Sequence, residues 1–567
     1  MGCGATNVVA RVGASLGALT AVAPQFQPAL DVPYGGVLCA LPALLAVGLL
    51  DGNDDALGAL PEGYYGQDSL LMLLAFMAMG RLKSIESLRY KPPGEWGKLL
   101  GLDRAPEVRT LRDKIQILSA DGQAAKWSGQ LCQRWMQTEP EQAGVLLVDG
   151  HTRVYHGSQT KLPRHYVARQ KLCLRATVDF WVNAMDGQPF FVINKVVDEG
   201  LISAIETDIL PRLEQDVPNQ PDENALAANP YLHRFTLVFD REAYSPDFFL
   251  RLKAKRIAVL SYHKFPGEDW ADEEFSPHQM TLASGQVVTL QLAERGTCMS
   301  NGLWVRKVRK MTQRAHQTSI IATDYLSDLT RLAANMMARW SQENYFKYAR
   351  EHYGLDQLAG YCIEEIPDPI RVVNPANRAL AAQVRSLSAK RSRCMALFGA
   401  LNLDDAIEPP VVAAFTAKKV AIKEEVDALG AQLVDLKARR KATPTHIKVS
   451  DLPEEQRFKQ LSTHSKHFID AIKMIAYRAE TAMANALRES LRRADEARTL
   501  LRALYTNEAD LLPDHQNKTL TVRLHHLANQ SADQAIRLLC DELNQTETLF
   551  PRTDLRMVFE VGRSTVT

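Results

Sequence analysis

Cysteine pairs are what this chain most clearly lacks. Its eight cysteines (Cys3, Cys39, Cys132, Cys173, Cys298, Cys362, Cys394 and Cys540) stand singly among 567 residues. With no C-x-x-C pair there is no start of a zinc site, and with so sparse a set there is no disulfide framework of the secreted kind. A reduced, cytoplasmic compartment is expected. Net charge is also missing, because 67 Lys+Arg offset 66 Asp+Glu to leave +1. Any nucleic-acid surface must therefore come from local clusters rather than a global field.

A long apolar run is absent too. Tyr34–Leu50 (YGGVLCALPALLAVGLL) falls short of the ~20 residues a spanning helix needs. It contains Pro42 and Gly48 and is flanked by Asp31, Asp51, Asp54 and Asp55, so it predicts a buried helix and no membrane partner. The start Met1-Gly2-Cys3-Gly4-Ala5-Thr6 fits M-G-x-x-x-[ST] for acylation, a short pattern that chance often produces, and a truncated or arbitrary start is the blander reading.

What is present describes a globular chain: 46% hydrophobic and 23% charged residues, long enough at ~100–200 residues per domain for three or four domains. Residues 1–140 form an N-terminal helical region, with Leu70, Leu73, Leu74, Met77 and Leu82 at helical spacing, and are a candidate for DNA binding. Within it, Leu100–Leu118 sets an Asp- and Pro-containing turn before a helix with Arg109, Arg112 and Lys114. Those charges read better as the solvated face of a packed helix than as a recognition helix.

The period changes at Gly144. Val145–Asp149, Cys173–Met185 and Pro189–Val197 read as strands, with a turn at Asp186-Gly187. A helix over Gly200–Leu213, a strand at Phe235–Asp240, a helix from Pro246 and a strand at Ile257–Tyr262 complete a β-β-β-α-β-α-β order. A β-rich insertion is expected over about 263–318. A helix then starts near Asp324 or Ser327, with Ser327 as its cap, and runs through Glu343. Residues 141–360 thus form one α/β (α+β) domain. Residues 370–445 predict an antiparallel coiled-coil hairpin, with Leu380, Val384, Leu387, Cys394 and Phe398 facing Ile422, Val426, Leu429, Leu433 and Leu436. Arg385, Lys390, Arg391, Arg393, Lys437, Arg439, Arg440 and Lys441 flank it, either as a solvated face or as DNA contacts. Residues 446–567 predict a separate α-rich unit with no evident chemistry.

Three carboxylates stand where phosphodiester chemistry would need them. Asp149 ends the first strand, Asp240 ends the fourth, and Glu343 lies on the helix after the insertion. The first and fourth strands are expected neighbours, which brings their carboxyl ends together. Hard oxygen donors of this kind suit Mg²⁺ or Mn²⁺, and two such ions would serve an in-line displacement. The bland alternative is that both aspartates cap turns. On a helix, Arg339, Glu343, Lys347 and Arg350 share one face, which reads either as an ion-pair ladder or as a surface for metal and DNA phosphate.

The segment Met336–Arg350 (MMARWSQENYFKYAR) resembles the third motif of the DDE transposases of bacterial insertion sequences, in the subgroup with signature Y-(2)-R-(3)-E-(6)-K. Arg339 and Glu343 match; Met336 stands for the Tyr and Arg350 for the Lys. Val145–His151 (VLLVDGH) and Leu237–Arg241 (LVFDR) resemble the first two motifs, with gaps of 90 and 102 residues that agree with the family. The likeness covers about Gly144–Leu358.

The resemblance implies a ribonuclease-H-like core and a catalytic, metal-holding triad of Asp149, Asp240 and Glu343 with two Mg²⁺ or Mn²⁺ ions. It also implies DNA contacts from Arg339, Lys347 and Arg350 and from the insertion's basic end, Trp304, Arg306, Lys307, Arg309 and Lys310. Trp304 would stack on an extruded base unless it is a core residue. Arg306 with Val308, and Val305, Lys307 and Arg309, alternate between two faces, so this is not one basic stripe. His151, His156, His165 and His263 show no paired metal spacing. The expected activity is hydrolysis at element ends followed by strand transfer into target DNA, by a homodimer in a nucleoid-associated, cytoplasmic setting. The rivals are a transposase-derived DNA-binding or scaffolding protein without catalysis, and a nuclease on the same fold.

Overall fold

Strands rich in branched apolar residues build a sheet at the centre of the computed structural model. It describes residues 5–157, 162–167, 170–195, 200–282, 285–357, 363–364, 371–402, 408–454, 457, 460–461, 463–491 and 493–562. The acylation-like start at Met1–Gly4, Cys3, Cys362 and part of the 401–410 connection lie outside the described residues. The chain divides into two units: residues 1–155, 165–362 and 461–567, and residues 156–164 with 363–460.

In the first unit, strand β1 (Ala29–Val32) belongs to a small terminal sheet, and ten strands form the central one: β2 (Val145–Val154), β3 (Arg164–Val167), β4 (Leu172–Asn183), β5 (Pro189–Lys195), β6 (Thr236–Phe239), β7 (Ala258–Tyr262), β8 (Ser276–Thr281), β9 (Val287–Cys298), β10 (Trp304–Met311) and β11 (Gln317–Ala322). Their order is β3-β4-β2-β6-β7-β11-β10-β9-β8, with β5 also paired to β4. β2 pairs antiparallel with β4 and parallel with β6, Val145 facing Thr236 and Val148 facing Phe239. β6 pairs parallel with β7. Asp149 does not end its strand, because β2 continues to Val154 alongside β4; but the pairing with β6 stops at Val148 and Phe239, so Asp149 and Asp240 lie side by side just past it.

The expected insertion is not a free-standing module. β11 pairs with β7, Ile320 opposite Tyr262, and β10, β9 and β8 continue by antiparallel pairing, so the insertion extends the central sheet.

Helices α1 (Gln67–Met79), α2 (Val108–Ser119) and α3 (Gln123–Thr138) account for much of the N-terminal helical region. In α2 the apolar face of Val108, Leu111, Ile115 and Leu118 is buried, whereas Arg112 reaches sideways to Glu86, as a packed helix with a polar side requires. Tyr34–Leu50 forms short, largely buried helical turns. Among the described residues no helix is long and apolar enough to cross a membrane.

After β11 the chain forms α4 (Leu329–Met337) and α5 (Arg339–Tyr348), separated at Ala338, where one continuous helix was expected. The cap is Asp328 rather than Ser327: its carboxylate accepts from the Arg331 amide at 2.7 Å.

The C-terminal part is not a separate unit. Helix α8 (His464–Arg488) runs through the core against α1, α2, α3 and β5. Phe190, Phe191 and Val192 of β5 are fully buried, which contributes ~1.5–3 kcal/mol for each such side chain. The strand Ala509–Asp514 pairs with β1, joining the two ends of the chain in a four-stranded sheet.

In the second unit, α6 (Pro375–Ala400) and α7 (Pro409–Ala442) form an antiparallel hairpin. Asn377 donates to the Arg440 and Thr443 carbonyls at one end, and Lys419 lies over Phe398 toward the other. Val384, Cys394, Leu429 and Leu433 are buried in the seam. At its base Arg371–Val373 pairs with His446–Lys448.

Candidate active site

Each aspartate divides its carboxylate between a local and a distant task. Asp149 Oδ1 accepts from the Gly150 amide at 2.9 Å within its strand, and Asp240 Oδ1 accepts from the Arg241 amide at 2.6 Å, so of the two only Asp240 has the capping role that the bland reading foresaw. The other oxygens converge on Arg339. Its Nη2 donates to Asp149 Oδ2 at 3.1 Å, and its Nη1 lies 3.5 Å from Asp240 Oδ2. The guanidinium is only 6% exposed, Asp149 is 21% exposed and Asp240 46%. Burial pushes the Asp149 carboxyl upward, with Asp240 adding to it and Arg339 and the Gly150 amide opposing.

Helix α5 brings Arg339 to this point because its inner face is pinned to the sheet. Gln342 is buried and donates to Asn183 Oδ1 at 2.9 Å and to the carbonyls of Leu147 and Trp181. Ser341 donates to the Met185 carbonyl at 2.7 Å. At the β4–β5 turn, Gly187 has φ +90° and lies so close to Ser341 that a Cβ would meet its carbonyl oxygen at 2.5 Å. Only glycine suits both conditions. One turn further, Phe346 stacks on His151, whose Nε2 is 2.6 Å from Asp356 Oδ1.

Glu343 is exposed on α5, and no described residue pairs with it. Tyr262, at the end of β7, stands among the charges. Burial raises its pKa most, while Arg339, Asp240, Glu343 and Arg241 all act on it. The donor chemistry fits a hard divalent cation, because carboxylate oxygens from two neighbouring strands already face one positive group. Among the described residues, the group whose three donor atoms all lie within 4.8 Å of one another is a different one, Asp31, Asp510 and His525 on the terminal sheet. With Arg339 between them, the three expected ligands do not reach that spacing.

The other expected DNA contacts divide. Lys347 is exposed on α5 beyond Glu343. Arg350 leaves that face, because the helix widens to a π turn at Ala349–Tyr353 and Arg350 Nε donates back to the Phe346 carbonyl. In the insertion, Arg309 is 1% exposed and spans Gln317, Asp269 and the carbonyls of Pro266 and Glu268, so it is not available to phosphate. Arg306 pairs with Glu294 and donates to the Asp324 and Ser327 carbonyls, and Lys307 donates to the Pro266 carbonyl. Lys310 is half-buried and has no ion pair among the described residues. Trp304 is 48% exposed and packs against Tyr325 at 5.5 Å.

Sequence reading missed Tyr262, Gln342, Ser341 and the His151–Asp356 pair. The signal for Gln342 was a polar residue beside Glu343 on the inward side of its helix. His151 follows Asp149 by two along one strand, so it shares its side of the sheet.

A family model described as "Transposase protein" matches residues 2–563. No curated protein matches the chain. Among solved structures, the cryo-electron microscopy structure of a piggyBac transposase synaptic complex with hairpin DNA is similar at 9% identity and a TM-score of 0.26, over 87% of this chain and 89% of that one.

Proposed function

The chain belongs to this transposase family, and from that premise we propose a DDE-type enzyme that cleaves DNA at element ends and joins the freed end to target DNA. The observation that carries the reading is the convergence of Asp149 and Asp240 on one cation, with Glu343 on the same helix as that cation. The strand order β5-β4-β2-β6-β7, antiparallel and then parallel, supports a ribonuclease-H-like core.

Asp149, Asp240 and Glu343 would hold Mg²⁺ or Mn²⁺, two ions when DNA is present. Bound there, the ions would lower the pKa of the attacking water or 3′-hydroxyl and offset charge on the leaving oxygen. The protein's own part is positioning. Gln342 and Ser341 fix α5, Phe346 on His151 steadies its next turn, and the sheet register fixes the separation of the two aspartates. Arg339 offsets part of the aspartates' charge in the absence of substrate and has a planar guanidinium with which to take a phosphate. Lys347 extends the positive side of that face. Paired DNA ends make a homodimer the working assembly.

The test is Mg²⁺- and Mn²⁺-dependent cleavage of a duplex carrying the DNA that flanks the gene, with wild type beside Asp149→Asn, Asp240→Asn and Glu343→Gln. Loss of cleavage by about a thousandfold in all three, with DNA binding retained, is expected. Strand-transfer products separate a transposase from a nuclease. Wild-type binding without cleavage would leave a DNA-binding derivative as the answer.

A further inference from the structure

We propose that the outward face of α6 is a second DNA-backbone surface, which tracks duplex phosphate independently of the cleavage site; it rests on the reading of this protein as a DNA transposase. Helix α6 carries Arg378, Arg385, Lys390, Arg391 and Arg393 and no acidic residue in its 26 residues. All five are exposed. Lys390 pairs with Glu425 of α7 at 2.9 Å. Arg391 sits over Gly430 in the seam, where a Cβ would come 3.8 Å from its Nε. The remaining three, Arg378, Arg385 and Arg393, form no ion pair with any described residue.

Ordinary structural reasons for helix charge do not account for them. Cations stabilise a helix near its C-terminus, as Arg439, Arg440 and Lys441 do in the last turn of α7, whereas the last turn of α6 has none. Ion pairs four residues apart are impossible on a helix without acids. By helical spacing, Arg378, Arg385 and Arg393 lie opposite the seam formed by Leu380, Val384, Leu387 and Cys394. The residues between them on that face are Ala381, Ala382, Ser386, Ser388, Ala389 and Ser392, small enough to let a phosphate backbone lie close. The outward face of α7, by contrast, mixes signs, with Glu424, Asp427 and Asp435, the last paired with Arg439 at 3.8 Å. At ~1.5 Å per residue, Arg378 to Arg393 span about 22 Å, roughly two-thirds of a B-DNA turn of ~34–36 Å. A face with unbalanced charge of one sign over that length is complementary to a polyanion.

The experiment compares full-length wild type with Arg378→Gln/Arg385→Gln/Arg393→Gln, measuring duplex affinity across a salt series. Arg439→Gln/Arg440→Gln/Lys441→Gln serves as a control of equal charge change. Three lost phosphate contacts should flatten the slope of log K against log salt by about 2.7, at ~0.9 per contact. Affinity near 0.1 M salt should weaken at least tenfold, with circular dichroism unchanged and the control triple showing less than half that slope change.

An α6 variant that matches wild type in slope and affinity, while wild type still cleaves metal-dependently, overturns this inference and leaves the proposed function standing. Loss of self-association in sedimentation without a change in slope also overturns it, assigning the face to a second copy of the chain. Wild type with no salt-sensitive duplex binding overturns both.

Discussion

Two charge clusters built on α5 and its continuation answer opposite needs. At the candidate site one arginine, Arg339, is shared by two carboxylates, Asp149 and Asp240. In the core one carboxylate, Glu480, is shared by two arginines. Arg81 donates to it at 2.8 Å and Arg498 lies at 3.8 Å, while the hydroxyls of Tyr348 and Tyr353 also donate. The surplus positive charge in the core is absorbed by rings: Arg81 lies 4.9 Å over Tyr353, and Arg498 lies 4.6 Å over Tyr477. The surplus negative charge at the site has no such sink and faces solvent. The core cluster is complete within the protein, whereas the cluster at the candidate site keeps one negative charge in excess.

Removing the shared member should therefore affect different properties. The largest effect on stability is expected from Glu480→Ala, which strands two buried guanidinium groups and should cost about 3–5 kcal/mol in urea unfolding. A smaller loss would mean the rings alone can hold them.

Arg339→Gln should lower stability less and change cation binding instead. With the competing guanidinium gone, Mn²⁺ affinity in the absence of DNA, read by electron paramagnetic resonance, should rise about tenfold, or ~1.4 kcal/mol. A fall in affinity would show that Arg339 organises the carboxylates rather than competing for them.

Acid should separate the clusters further. Burial alone would raise the Glu480 carboxyl, but Arg81, Arg498 and the two tyrosine hydroxyls outweigh it and hold it below its ordinary 4.5. Its contribution is thus fully present above that value and is lost as pH falls through the lower folded value. Glu480→Gln should flatten the decline in melting temperature below pH 4.5. A smaller loss of stability than for Glu480→Ala, ~1–3 kcal/mol, is expected from Arg309→Ala, which leaves the Glu268 carbonyl short of a donor while the Pro266 carbonyl keeps Lys307. DNA binding should keep its salt slope. A flattened slope would return Arg309 to the DNA-facing set.

The same contrast explains what was legible beforehand. Strands such as Leu237–Phe239 announce themselves through continuous apolar residues, and Asp240 at the strand end follows from one more position, although Asp149 proved to lie within its strand. The parallel pairing of β2 with β6 was therefore within reach, and with it the meeting of Asp149 and Asp240. Helix α8 was not. Lys466, Asp470, Lys473, Arg478 and Glu480 are all buried, so a helix that passes through the core carries the composition of a surface one. Pairing partners, invisible in one dimension, decide which it is.

Arg309 illustrates the reverse error. It reads as a basic residue in a basic run, yet the carbonyls at 266 and 268 and the ring of Trp270 turn it inward. Arg350 depended on strict α periodicity, which the π turn interrupts.

The continuity of the central sheet can also be put mechanically. Strands β8 to β10 are attached to β7 through β11 by rows of main-chain hydrogen bonds rather than by a hinge. They form a cantilever whose fixed end is the strand that finishes at Tyr262. A force applied at its outer edge is transmitted across the strands, through the backbone itself, to the neighbour of Asp240.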